Sequence, residues 1–173
     1  MHAELKPHPD FPAPAGVMIS VEAAREGDRL ILRYLLSGET SALAIPSPSE
    51  PLRTDGLWRR TCFEAFVQPA DEPGYVELNF SPSTEWAAYG FSGYREGMAE
   101  LDLSPNIRCS VDAEGVELQA EVALGLTGRW RIGLTAVLEA ADGSLSYWAV
   151  RHPQGRPDFH HRDCFALELA PAG

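Results

Sequence analysis

Phe63, Ala65 and Val67 stand on every second position of residues 61–68, and Val76, Leu78 and Phe80 do the same in residues 75–80, where they alternate with Tyr75, Glu77 and Asn79. A period of two is the signature of strands with one face turned to a core. Because a slip of one residue would turn a whole strand over, the pattern also predicts the register. Phe63, Ala65 and Val67 should lie opposite Phe80, Leu78 and Val76, which sets Glu64 opposite Asn79 and Phe66 opposite Glu77. Carried through a turn at residues 81–84, the same logic predicts Trp86 beside Asn79, with Ala88 and Gly90 next along that face. Trp58, just ahead of the first strand, is placed to close over it.

A sheet face that combines carboxylate, amide and indole, with small residues leaving room, suits a polar, ring-shaped ligand. Sugars meet that description. Aromatic rings cover their C–H faces, and Glu and Asn side chains supply donors and acceptors for their hydroxyls.

The rest of the chain repeats the strand signal. Val17, Ile19 and Val21 alternate, as do Leu30, Leu32, Tyr34 and Leu36 beyond a turn at residues 25–28, which predicts a hairpin. Residues 42–45 read as a short edge strand. Residues 107–111, 116–124, 130–140, 145–150 and 164–169 read as further strands, and residues 92–105 as a long loop. The 15 glycines and 14 prolines supply the turns that so many short strands need. No amphipathic helix of ordinary length appears. The expectation is an all-β protein, an antiparallel β-sandwich of the jelly-roll or Greek-key kind.

Pro7, Pro9, Pro12 and Pro14 mark residues 1–15 as an extended, proline-rich leader outside the sheet, with residues 16–173 as one domain. A net charge of -11 opposes binding to phosphate backbones or anionic membranes. The N-terminal residues lack the apolar core of a signal peptide, and three cysteines read as reduced thiols, so the expected location is cytoplasmic.

Trp58 followed six residues later by Glu64, then Tyr75-Val-Glu-Leu-Asn-Phe-Ser-Pro, and a closing Phe165-Ala-Leu-Glu-Leu, resembles the DOMON-like domains related to family 9 carbohydrate-binding modules. The resemblance spans roughly residues 30–169. It implies a sandwich that holds a sugar between two tryptophans, with Glu, Arg and Asn side chains around it. Residue by residue it carries the first tryptophan onto Trp58, the acidic ligand onto Glu64, and polar contacts onto Glu77 and Asn79. The second tryptophan falls on Trp148, with Trp86 as competitor. Relatives often place an Asp between the tryptophan and the Glu, which this chain lacks. They also often hold calcium, for which Asp55, Asp71, Asp102 and Asp142 sit in loops without forming an assignable ligand set.

Other readings stay beside this one. Glu64 either serves a ligand or pairs with Arg59 or Arg95. The run Asp158-Phe-His-His-Arg-Asp-Cys164 invites a metal site or a Cys–His nucleophile, but adjacent histidines on an extended strand point to opposite faces, and Cys164 leads into an apolar strand where a buried, inert thiol is the common outcome. His160 or His161 is expected to line the pocket near Trp148, with His160 the choice. The leading expectation is a non-catalytic domain that binds a small saccharide or polyol. The alternative implied by the superfamily is a b-type haem domain using Met18 or Met98 with His160, and a Cys164-dependent enzyme comes third.

Overall fold

Leu30, Leu32, Tyr34 and Leu36 are fully buried, and the residues between them are not. This alternation repeats along much of a chain that contains strands, three short 3-10 turns and no α-helix among the described residues. The structure is a computed structural model and describes residues 1–171. The strands are β1 (His2–Pro7), β2 (Met18–Glu26), β3 (Arg29–Ser37), β4 (Cys62–Pro69), β5 (Tyr75–Phe80), β6 (Trp86–Phe91), β7 (Ala99–Glu100), β8 (Asn106–Val111), β9 (Gly115–Ala123), β10 (Trp130–Glu139), β11 (Leu145–Ala149) and β12 (Leu167–Leu169).

All pairings between these strands are antiparallel, and the order is β7-β6-β5-β4-β10-β11-β1-β2-β3-β9-β8, with β12 added beside β10. The sheet curls so that its two ends share one core. Tyr34 of β3 has its ring 4.9 Å from that of Phe63 on β4 and donates its hydroxyl to the Glu64 carbonyl at 2.6 Å. Leu78, Phe80, Leu118, Leu134 and Trp130 belong to the same buried cluster. Glycine is needed where β2 and β3 close: Gly38 has φ +106°, and a Cβ there would stand 1.9 Å from the Gly16 carbonyl oxygen.

The opposite face of β4, β5, β6, β10 and β11 carries a second buried cluster, with Phe66, Tyr75, Tyr89, Phe91, Phe159 and Phe165. The loop before β12 covers it. Gly133 on β10 allows this cover, because a Cβ there would meet the Cys164 carbonyl oxygen and the Phe165 ring at 3.0 Å.

The expected register of β4 and β5 is observed: Phe63 faces Phe80, Glu64 faces Asn79, Ala65 faces Leu78 and Phe66 faces Glu77. Five expectations are corrected. His2–Pro7 is a strand inside the sheet, where β1 joins β2 to β11 and so seams the two halves together. Pro7 is tolerated because it ends the strand. Residues 40–42 form a 3-10 turn, and the edge strand expected at residues 42–45 shrinks to one bridge between Leu43 and Ala140. The loop over residues 92–105 contains the two-residue β7, paired with β6. The last strand is shorter than expected, since Arg162–Cys164 is a 3-10 turn ahead of β12.

The fifth correction bears on the site. Trp86 pairs with Phe80, and Ala87 pairs with Asn79, one residue away from the expected register. Trp86 and Ala88 therefore face the shared core, and Ala87 and Tyr89 take the opposite face beside Asn79 and Glu77.

Candidate functional site

Adjacent strands place Glu64 (β4), Glu77 and Asn79 (β5), Tyr89 (β6) and Thr135 (β10) on one face, because each is an even number of residues from the others along the ladder. Above them lies a cavity of about 570 Å³. Glu64, Glu77 and Phe66 form its floor, Tyr89 and Phe91 one wall, and Trp58 and Tyr147 part of its mouth. Trp58 is 37% exposed and sets its indole edge-on to Tyr89 at 5.9 Å. Tyr89 is held by donating its hydroxyl to Asp55 Oδ1 at 2.5 Å.

Glu64 is the unusual group. It is 2% exposed, Thr135 Oγ1 donates to its Oε2 at 3.4 Å, and its Oε1 is buried without a partner. A carboxyl removed from water and left unsatisfied is costly to charge. Burial first, and then the neighbouring Glu77 carboxylate, push Glu64 well above the ordinary glutamate range, with only Thr135 opposing. The ion pair with Arg59 or Arg95 that the sequence allowed is not formed. Arg95 instead binds Asp158 at 2.8 Å.

Glu77 is likewise raised by burial, and this is offset by Asn79, whose Nδ2 donates to Glu77 Oε1 at 2.9 Å, and by the charge of Arg95. Asn79 is fully buried and serves as a positioning group for Glu77. His160 reaches over this floor from the covering loop. The Tyr75 hydroxyl accepts the Arg95 backbone N–H at 3.2 Å and lies 2.8 Å from His160 Nδ1. We assign the hydroxyl as donor to Nδ1, which leaves the ring proton on Nε2, directed toward Glu77 Oε2 at 3.6 Å. Burial, and secondarily Arg95, hold the imidazole down at about 4, so at neutral pH this contact joins a neutral ring to a carboxyl and is not an ion pair.

Of the residues singled out from sequence, Trp58, Glu64, Glu77, Asn79 and His160 come together. Trp148 and Trp86 do not. Trp148 is 3% exposed in the shared core, with its Nε1–H donated to Ser146 Oγ at 3.0 Å, so its neighbour Tyr147 faces the cavity in its place. Tyr89 and Phe91 were missed because the expected β6 register was off by one. Tyr75 could have been found, since it shares its face with Glu77 and Asn79.

The donors named for haem divide between two cavities. Met18 lines a separate cavity beside β1, and His160, which shares its cavity with Met98, has one ring nitrogen bonded to Tyr75 and the other facing Glu77. Among the described residues no three His, Cys, Asp or Glu side chains gather to hold a metal ion. Asp55 is bonded to Tyr89 and Arg53, and Asp142 caps its own turn through Ser144. Cys164 is 1% exposed and its thiol is pushed up to about 12 by burial, with Asp158 adding to the effect.

No family model and no curated protein matches the chain. Solved structures do share its fold. A candidate carbohydrate-binding protein from Bacteroides uniformis superposes with a TM-score of 0.69 at 17% identity, covering 97% of this chain and 86% of that one. A family 9 carbohydrate-binding module from Caldicellulosiruptor kristjanssonii, solved in complex with glucose, superposes with a TM-score of 0.55 at 9% identity, covering 99% and 85%. At these identities the likeness is one of fold.

Proposed function

We propose that this chain is a binding domain, a β-sandwich related to the DOMON-like and family 9 carbohydrate-binding folds, that holds a small saccharide or polyol in the cavity above Glu64 and Glu77. The observation that carries this reading is the unpartnered Glu64 Oε1, buried on the floor of an aromatic-walled hollow. A buried carboxyl oxygen is costly to leave unpaired, and among the described residues Thr135 bonds only the other oxygen of Glu64. Trp58, Tyr89 and Phe91 offer ring faces for the C–H face of a pyranose, and Glu64, Glu77 and Arg59 offer acceptors and donors for its hydroxyls. A fold shared with a module crystallised with glucose supports the same ligand class.

Calorimetric titration with glucose, glucosamine, N-acetylglucosamine and cellobiose tests the proposal. Binding with one-to-one stoichiometry, weakened by Trp58→Ala, is the expected result. Absence of heat from all of them, with the wild-type chain folded, overturns it.

A further inference from the structure

We propose that the ligand of this cavity carries a cationic nitrogen, as an amino sugar does, and that this nitrogen seats between Glu64 and Glu77. The inference rests on the saccharide reading above and narrows it to a class.

The floor holds two carboxyl groups and, among the described residues, no protein cation within ion-pair distance of either, apart from His160 Nε2 at 3.6 Å, and that imidazole is neutral at pH 7. Glu64 and Glu77 are 2% and 6% exposed, so bulk water does little to screen them. Their known partners are neutral: Thr135 for Glu64, Asn79 for Glu77. A hydroxylated but uncharged ligand supplies donors to these oxygens and adds no charge to offset the Glu77 carboxylate beyond what Arg95 provides. An ammonium supplies three donors and the missing charge together.

The remaining charged groups sit farther out. Arg95 lines the cavity with its side chain half exposed, is bound to Asp158, which also receives the Tyr94 hydroxyl, and favours the Glu77 carboxylate only through its longer-range charge. Arg59 lies exposed at the mouth and has no ion pair among the described residues. Both cations therefore face the hydroxyl end of a ligand whose nitrogen points to the floor. Sharing the sheet face of Glu64 are Cys62 on its own strand, Glu77 and Asn79 on β5 and Thr135 on β10, none of them cationic.

Seating an ammonium converts Glu64 to its carboxylate, and the proton it held leaves to the buffer. An uncharged sugar makes no such demand. The experiment is calorimetric titration of the wild-type chain with glucose, glucosamine and N-acetylglucosamine at about pH 6.5, where a sugar amine near the α-amino range is charged, in two buffers of different ionisation enthalpy. The expected result is glucosamine bound about tenfold more tightly than glucose or N-acetylglucosamine, the margin of a charge-assisted over a neutral hydrogen bond, with net proton release to the buffer. In Glu64→Gln and Glu77→Gln the preference for glucosamine over glucose should fall toward unity. Glucose or N-acetylglucosamine binding as well as glucosamine, without proton release, overturns the inference and leaves the saccharide reading standing. No binding of any of the three overturns both.

Discussion

Replacing Glu64 by Gln keeps the shape of the side chain and removes its titration, so it isolates the electrostatic state of the cavity floor. Burial and Glu77 raise the folded-state pKa of Glu64 well above the ordinary 4.5. The folded chain therefore keeps this proton to a higher pH than the unfolded chain does, and the stability that goes with it is complete below the unfolded value and lost as pH rises through the folded one. Each pH unit inside that window removes about 1.4 kcal/mol per proton. Glu64→Gln should match the wild type near pH 4 and become progressively more stable than it as pH rises toward 8. At roughly 2–4 °C per kcal/mol for a chain of this size, thermal melts resolve the divergence readily. Melting curves that stay parallel from pH 4 to pH 8 would refute the reasoning, because Glu64 would then be charged and compensated in the folded chain.

Trp58→Ala should weaken saccharide binding and change thermal stability by less than about 1 kcal/mol, since the indole is 37% exposed and meets Tyr89 only by its edge; titration and melting of the same sample check both halves. Trp148→Ala should do the reverse, costing roughly 3–5 kcal/mol through the emptied core and the lost bond to Ser146, with saccharide affinity unchanged in the fraction that folds. Cys109 and Cys164, pushed up to about 11 and about 12 by burial, and the fully buried Cys62 should resist iodoacetamide at pH 8 until the chain is unfolded. Rapid modification of Cys164 in the native protein would revive a reactive thiol.

The strand pair at the centre of the chain was legible because Phe63, Ala65, Val67 and Val76, Leu78, Phe80 alternate cleanly with other residues, and only one register keeps both rows inside. The same rule could not fix β6. Trp86-Ala-Ala-Tyr-Gly-Phe is buried or half-buried at every position, so neither face is marked as polar and the turn length alone decides. Trp148 failed for a related reason. It adjoins Tyr147, the two rings must point to opposite faces, and nothing local says which one meets the core. The N-terminal strand was masked by prolines that in fact cluster beyond it, from Pro7 onward. Tertiary cover decided the rest: His160 enters the site because Gly133 lets the loop before β12 lie close on the sheet, a contact between residues distant in sequence.

The central claim is that the acidic, aromatic-walled hollow over Glu64 and Glu77 receives the sugar. A crystal structure of the chain grown with saturating glucosamine measures this most directly. The account predicts the pyranose ring against Trp58 and Tyr89, with its nitrogen within hydrogen-bond distance of a Glu64 or Glu77 carboxylate oxygen. Sugar bound instead on the outer face of β2, β3 and β9, or a hollow that stays closed by its own side chains at saturating ligand, would contradict it.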